Sequence, residues 1–197
     1  MSLYVISDLH LSTNASTNKS MEKFGARWLD YQRKIEKNIH GVRSFTEEME
    51  SMNRKVTNKV IKFLITKATP EVAEKLFLKE DEEVVSVERV RYANEIPVLF
   101  EEMYIPYNLF KNICEDDLHH SFYNYINSLG FHISHCIQSI EAVKTESKFS
   151  HLLEIAKSDP LLLIVRNSFL NSGRPFEYVK SYYRSDQYRF VQYSIKG

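Results

Sequence analysis

The stretch VVSVERVRYANEIPVLFEEMY, residues 84–104, indicates most about how this chain folds. β-Branched and aromatic residues dominate two runs, 84–92 and 96–104, and this predicts two strands. Ala93-Asn94-Glu95 lies between the two runs and predicts the turn of a β-hairpin. An antiparallel pair of strands is therefore the expected centre of the fold.

The segments around this hairpin predict an α+β fold with a mostly antiparallel sheet and helices packed on one face. Ser44 and Glu47 form a capping box that begins one helix, and Thr69-Pro70 begins another. Periodicity and turn residues predict the remaining elements: strand 56–66, a helical turn at 107–113, helix 120–129 ending at Gly130, strand 132–144, helix 147–157, and strands 161–170, 176–184 and 188–195.

The first 40 residues differ in character from the rest. Residues 3–6 predict a short strand and residues 9–20 a mobile polar segment. Residues 24–38 predict a helix that packs on the sheet or on a partner subunit. We therefore expect two parts, an appendage at 1–40 and a domain at 41–197.

Length and charge narrow the classes of function. The 197 residues carry 26 basic and 26 acidic side chains, which excludes a strongly basic nucleic-acid-binding protein. No apolar run approaches the roughly 20 residues that span a bilayer, and the N-terminus lacks the basic start of a signal peptide. A cytoplasmic protein is expected. Cys114 and Cys136 have no metal or redox spacing, so two buried thiols are favoured over a disulfide.

Two arginines are the first candidates for a binding site. Arg89 and Arg91 lie two residues apart in a predicted strand and therefore share a face. Unpaired burial would be costly, and an anion such as phosphate or carboxylate is one partner that suits guanidinium groups. The alternatives to anion binding are that the two arginines lie at a solvent-exposed edge of the sheet or pair with Glu101 across the hairpin.

Other side chains carry weaker signals. Glu177 and Tyr183 share one face of a later strand, either as part of a small-molecule pocket or of an ordinary amphipathic strand. Ser121 either caps a helix or donates to an anion there. The neighbouring His119 and His120 lack a third metal ligand at a matching spacing.

Catalytic motifs are sparse in this sequence. No Ser-His-Asp or Cys-His arrangement and no glycine-rich phosphate loop is recognisable. Asp8 and His10 could aim a carboxylate and an imidazole at one metal ion, but a strand that runs into a turn explains them better. No cofactor is expected.

From about residue 41 onward the chain resembles the effector-binding (UTRA) domain of GntR-family regulators of the HutC subgroup. The segments that carry the resemblance are residues 44–49, 87–97, 101–106, 175–178 and 182–190. The resemblance implies a chorismate-lyase-like fold, a homodimer and a small-molecule sensor, often of amino sugar phosphates. A chorismate-lyase-like enzyme on the same fold is an alternative that the sequence does not separate from a sensor.

The resemblance also implies roles for individual residues. Arg89, Arg91 and Ser121 match the positions that hold phosphate in the amino-sugar-phosphate sensors. Further matches are the sugar-contacting Glu101, the tail residues Glu177 and Tyr183, and the Ser44-Phe45-Thr46 segment. One departure is that Ser185 and Gln187 replace a glycine and an arginine of the usual tail motif.

Residues 1–38 resemble instead the start of a calcineurin-like metallophosphoesterase, in which Asp8 and His10 would be metal ligands. The family's other ligand motifs are absent downstream, and two ligands do not build a two-metal centre. A family regulator contacts DNA through a winged helix-turn-helix, for which residues 1–40 are too short. We therefore expect a sensor of a phosphorylated sugar, not an enzyme, with a metal-dependent phosphoesterase as the alternative.

Overall fold

The computed structural model describes residues 34–39, 41–192 and 194. Residues 36–197 form one compact unit. The strand, mobile segment and most of the helix expected before residue 34 lie outside the described residues, as do Asp8 and His10. Among the described residues, no helix combines the length and apolarity needed to cross a membrane.

The described residues contain eight strands, four α-helices and one 3-10 helix. Their order is β1 (Ile35–Asn38), α1 (Phe45–Ser51), β2 (Val56–Lys67), α2 (Pro70–Leu76), β3 (Glu83–Ala93), β4 (Ile96–Pro106), the 3-10 helix Glu115–His119, α3 (Phe122–Ser128), β5 (Ile133–Lys144), α4 (Ser147–Leu152), β6 (Pro160–Leu170), β7 (Pro175–Arg184) and β8 (Tyr188–Val191).

Six strands form one antiparallel sheet in the order β2-β3-β4-β7-β6-β5, while β1 pairs with β8 in a separate two-stranded sheet. The predicted hairpin is β3-β4 and lies near the centre of the large sheet. Asn94 and Glu95 form its turn with φ angles of 48° and 68°, the left-handed geometry that matches the twist of paired strands. The α+β class and the antiparallel sheet are confirmed.

Local capping chemistry starts the helices where the sequence predicts. Ser44 Oγ accepts from the Glu47 backbone N–H at 3.2 Å, and the Glu47 carboxylate accepts from the Ser44 N–H at 2.7 Å. Thr69 Oγ1 accepts from the Val72 N–H at the start of α2. These bonds satisfy N–H groups that have no partner inside the helix.

The helices divide between the two faces of the large sheet instead of gathering on one. On the first face, α3 and the 3-10 helix pack on Val85, Val87 and Met103. On the second face, α4 packs on Val90 and Phe100 and α2 packs on Val84 and Tyr178. Both faces of the central strands are apolar, so each requires cover.

Several local predictions need correction. Residues 35–38 are a strand, not the end of a helix, because pairing with β8 outweighs the helical spacing of their apolar residues. Helix α4 ends at Leu152 since Glu154 adopts a left-handed φ of 54°. Residues 107–113 form turns and the 3-10 helix follows them, while β8 ends at Val191. Both cysteines are free, but Cys114 is exposed and Cys136 only partly buried.

Candidate functional site

A small, partly open cavity lies over the first face of the large sheet. Strands β3, β4, β7 and β6 supply its floor, and β1, the loop before α1 and the starts of α1 and α3 supply the rest. Its lining residues are Lys37, Arg43, Ser44, Phe45, Arg89, Arg91, Glu101, Phe122, Tyr123, Arg166, Glu177, Val179, Ser181 and Tyr183. Five of these side chains are basic and two are carboxyl groups.

The register of the sheet brings the predicted floor residues together. Arg89 lies opposite Glu101, and Glu101 lies opposite Ser181 on the next strand. Arg91 and Tyr183 both lie opposite Leu99, one on each side. Because side chains alternate between faces, these groups all point to the cavity side.

Glu101 and the two arginines form a buried charged cluster. Arg89 Nε donates to Glu101 Oε2 at 2.6 Å, and its NH1 donates to the Leu118 carbonyl at 3.1 Å. Arg91 NH1 lies 3.7 Å from Glu101 Oε1. Burial alone would raise the pKa of Glu101, but Arg89 and Arg91 lower it below its ordinary value. The ion pair across the hairpin is thus present, and one positive charge remains uncompensated.

Arg91 is held in place from three sides. Its Nε donates to Asn58 Oδ1 at 2.9 Å, its NH2 donates to Thr46 Oγ1 at 3.1 Å, and its guanidinium carbon lies 4.4 Å from the Phe45 ring centroid. Burial and the neighbouring Arg89 lower its pKa to about 10. Thr46 is therefore not part of the lining but fixes a residue that is.

The start of α3 supplies two of the lining residues. The buried Ser121 hydroxyl accepts from the Asn124 N–H at 3.4 Å and so caps the helix. Ser121 is not among the lining residues, whereas the next two residues, Phe122 and Tyr123, are. Of the nine predicted site residues, seven line the cavity and Thr46 and Ser121 do not; the seven are Ser44, Phe45, Arg89, Arg91, Glu101, Glu177 and Tyr183.

Glu177 is the second carboxyl group of the cavity. Its Oε2 accepts from the Tyr123 hydroxyl at 3.1 Å and from the Ser168 hydroxyl at 2.9 Å. Burial raises the pKa of Glu177, and burial also raises the pKa of Tyr183. Glu177 has no ion-pair partner in the described part of the chain, unlike Glu101, so neutral hydrogen bonds hold it.

Sequence reasoning missed several lining residues. The sequence does not identify Lys37 as a lining residue, because the spacing of its segment predicts a helix. In β1, Lys37 alternates with exposed residues and points inward. Its side chain pairs with Glu48. Arg166 lies opposite Val179 of β7, on the cavity face. Residues 161–165 of β6 are all apolar, so the sequence does not signal which face Arg166 occupies, and only the register shows which strand is its neighbour.

Asp8 and His10 lie outside the described residues, so the metal search concerns the rest of the chain, including His119 and His120. Across residues 34–39, 41–192 and 194, no group of three metal-ligating side chains is present. His119 is exposed and its Nδ1 lies 3.3 Å from the Asn58 carbonyl oxygen.

A cationic cavity on one face of an antiparallel sheet fits a small-molecule-binding domain. Residues 51–189 match the UTRA domain family, and the chain belongs to that family. It is similar to the effector domains of GntR-family transcriptional regulators.

Curated relatives and solved structures agree with this assignment. The chain is 34% identical over 163 residues to the HTH-type transcriptional repressor NagR of Bacillus subtilis (81% of this chain, 66% of NagR). It is 26% identical over 161 residues to the mannosyl-D-glycerate transport/metabolism system repressor MngR of Escherichia coli (81% and 67%). This chain spans about 61–67% of the length of such relatives.

Two solved structures share the fold. A GntR-family transcriptional regulator from Enterococcus faecalis is 30% identical with a TM-score of 0.65, covering 70% of this chain and 99% of that one. The effector domain of PhnF from Mycobacterium smegmatis has a TM-score of 0.76 at 20% identity, covering 82% and 100%, and supports the fold alone.

Proposed function

We propose that this chain is the effector-sensing part of a transcriptional regulator and that its effector is a phosphorylated sugar. The observation that carries the proposal is the composition of the cavity, in which five basic side chains face two carboxyl groups. An excess of positive charge in a cavity favours an anionic ligand.

The arginines keep the capacity to bind phosphate. A guanidinium group has five N–H donors, and the hydrogen bonds of Arg89 and Arg91 within the domain use two in each. Phosphate would therefore add bonds without first displacing Glu101. Hydroxyl groups of a sugar would find acceptors in Glu101 and Glu177 and donors in Ser44 and Ser181.

The names of relatives support a sugar-related effector. MngR is named for mannosyl-D-glycerate, a sugar derivative. NagR and other relatives are named as helix-turn-helix regulators. In this chain the cationic groups face an internal cavity, so we assign them to effector binding and assign operator contacts to a helix-turn-helix part of the regulator. A cytoplasmic homodimer follows from the same assignment, with effector binding shifting its two conformations.

A thermal-shift series tests the proposal. Glucosamine 6-phosphate, glucose 6-phosphate, free glucosamine and inorganic phosphate are added separately to the purified chain. A ligand at a hundred times its Kd stabilises the protein by about 2.7 kcal/mol, which raises the melting temperature measurably.

Arg89→Ala and Arg174→Ala separate site binding from general effects. Arg174 is exposed in the β6-β7 turn and serves as the matched control. We expect a sugar phosphate to stabilise the wild type and Arg174→Ala but not Arg89→Ala. Stabilisation by free glucosamine equal to that by its phosphate, or an unchanged shift in Arg89→Ala, would contradict the proposal.

A further inference from the structure

The cavity has a second cationic end, formed by Arg166. Arg166 is on β6, while Arg89 and Arg91 are on β3, and β4 and β7 lie between them. Three inter-strand spacings of about 4.8 Å separate the two backbones by roughly 14 Å. Contact with both ends would therefore require an elongated ligand.

Arg166 has neutral partners only. Its Nε and NH2 both donate to Gln138 Oε1, at 3.1 and 2.9 Å, and the Tyr123 hydroxyl is a further neighbour. Within the described part of the chain, no carboxylate forms an ion pair with it. Glu177 acts on Arg166 only at longer range, and burial favours the neutral form of Glu177.

A second cation, Lys37, lines the same cavity, with its Nζ 5.8 Å from the Tyr183 ring centroid. Lys37 is buried, pairs with Glu48 and is repelled by the positive charge of Arg166. Burial, together with this repulsion, lowers the pKa of Lys37 against the opposing effect of Glu48. An anion placed between Lys37 and Arg166 would be attracted by both.

The orientation of the guanidinium group suits a planar anion. The two bonds to Gln138 use the Nε–NH2 edge of the Arg166 guanidinium and fix its plane, so the NH1–NH2 edge is the one left to pair with both oxygens of a ligand carboxylate. Planar, bidentate binding is the geometry that arginine offers to a carboxylate. Arg89 and Arg91 remain for the phosphate.

We propose that Arg166, assisted by Lys37, binds a carboxylate at the end of the effector opposite its phosphate, so that the effector is a phosphorylated sugar acid. The inference rests on the proposed function, because it takes the phosphate to lie at Arg89 and Arg91. It adds a residue that sets specificity and a narrower class of ligand.

The test compares two ligands that differ in one group. 6-Phosphogluconate carries a carboxylate at C1, and sorbitol 6-phosphate carries a hydroxymethyl group there; both are open chains with the same phosphate. Isothermal titration calorimetry of the full chain gives the Kd of each. We expect 6-phosphogluconate to bind at least tenfold more tightly, since hydrogen bonds between charged groups are the strong ones.

Variants assign this preference to Arg166. In Arg166→Gln, sorbitol 6-phosphate should keep its wild-type Kd, which shows that the site is folded, and the tenfold preference should disappear. Arg166→Lys should retain part of it, because the charge stays but the planar fork is lost. Arg174→Gln should leave both Kd values unchanged, and Arg89→Ala should weaken both ligands.

The outcomes separate this inference from the proposed function. A Kd ratio near one in the wild type, or a preference that survives in Arg166→Gln, overturns the inference. Equal weakening of sorbitol 6-phosphate by Arg166→Gln would place the phosphate at Arg166 and also overturns it. Binding of glucosamine 6-phosphate without binding of 6-phosphogluconate overturns it while the proposed function stands. Absence of binding by every sugar phosphate overturns both.

Discussion

Replacing Glu101 with glutamine removes the carboxylate that lies between two buried arginines. Arg89 and Arg91 are each about 3% exposed and Glu101 about 7% exposed. Breaking a buried ion pair typically costs about 3–5 kcal/mol, because the remaining charge is left uncompensated. Glutamine keeps an oxygen that accepts from Arg89 Nε, so we expect the lower end of this range, about 3 kcal/mol.

Thermal and urea unfolding at one protein concentration measure this cost. For a chain of this length about 3 kcal/mol corresponds to a melting temperature lower by roughly 6–12 °C. Glu102→Gln is the matched control, because Glu102 is the next residue of the same strand and pairs with the half-exposed Lys148. We expect that control to cost less than about 1 kcal/mol.

The pH dependence of the free energy of unfolding gives an independent check that ionised Glu101 stabilises the folded state. The pKa of Glu101 is lowered in the folded state, so its contribution to stability is present above the unfolded pKa of about 4.3. This contribution is lost as the pH falls through the folded pKa. The difference between wild type and Glu101→Gln should therefore be full at pH 7 and shrink below about pH 4. If Glu101→Gln lowers the free energy of unfolding no more than Glu102→Gln does, the claim that Glu101 compensates the charge of the buried arginines is refuted.

Three further predictions concern other parts of the domain. Ser44→Ala should lower the free energy of unfolding by about 1 kcal/mol through loss of the helix cap. The control Ser139→Ala, on the exposed edge strand, should not lower it. Equal effects of the two substitutions would contradict a stabilising role of the Ser44 cap. The pKa of Glu177 is raised by burial, so stability falls as the pH rises from about 4.3 through the folded pKa. Glu177→Gln should therefore gain stability over the wild type at pH 7–8 but not at pH 4, in urea unfolding; a gain that does not depend on pH would contradict this. Glu95→Gly should stabilise the protein by about 0.5–1 kcal/mol, because glycine adopts the left-handed φ of that turn more readily; a lower melting temperature would count against this account of the turn.

The sequence predicts those features that depend on local chemistry. The β3-β4 hairpin follows from alternating residues and its turn, and the starts of α1 and α2 follow from the capping groups of Ser44 and Thr69. The shared face of Arg89 and Arg91 follows from strand periodicity alone. The pairing of Arg89 with Glu101 needed more than the turn, because a bulge between Arg91 and Tyr92 shifts the hairpin register by one residue.

Features that depend on distant pairing were not predictable in this way. Strand β1 exists because it pairs with β8, about 150 residues later in the chain, so the inward position of Lys37 has no local signature. Arg166 joins the site through the β6-β7 register. Two apolar faces on the central strands call for helices on both sides, but short helices do not reveal from their sequence which face they cover.

The central claim is that Arg89 and Arg91 hold the phosphate of an effector inside this cavity. A crystal structure of the chain with the tightest-binding sugar phosphate tests the claim most directly. We expect phosphate oxygens within hydrogen-bond distance, about 2.7–3.2 Å, of both guanidinium groups, with the sugar between Glu101 and Glu177. A phosphate bound outside the cavity, or bound within it without contact to either arginine, would contradict the claim.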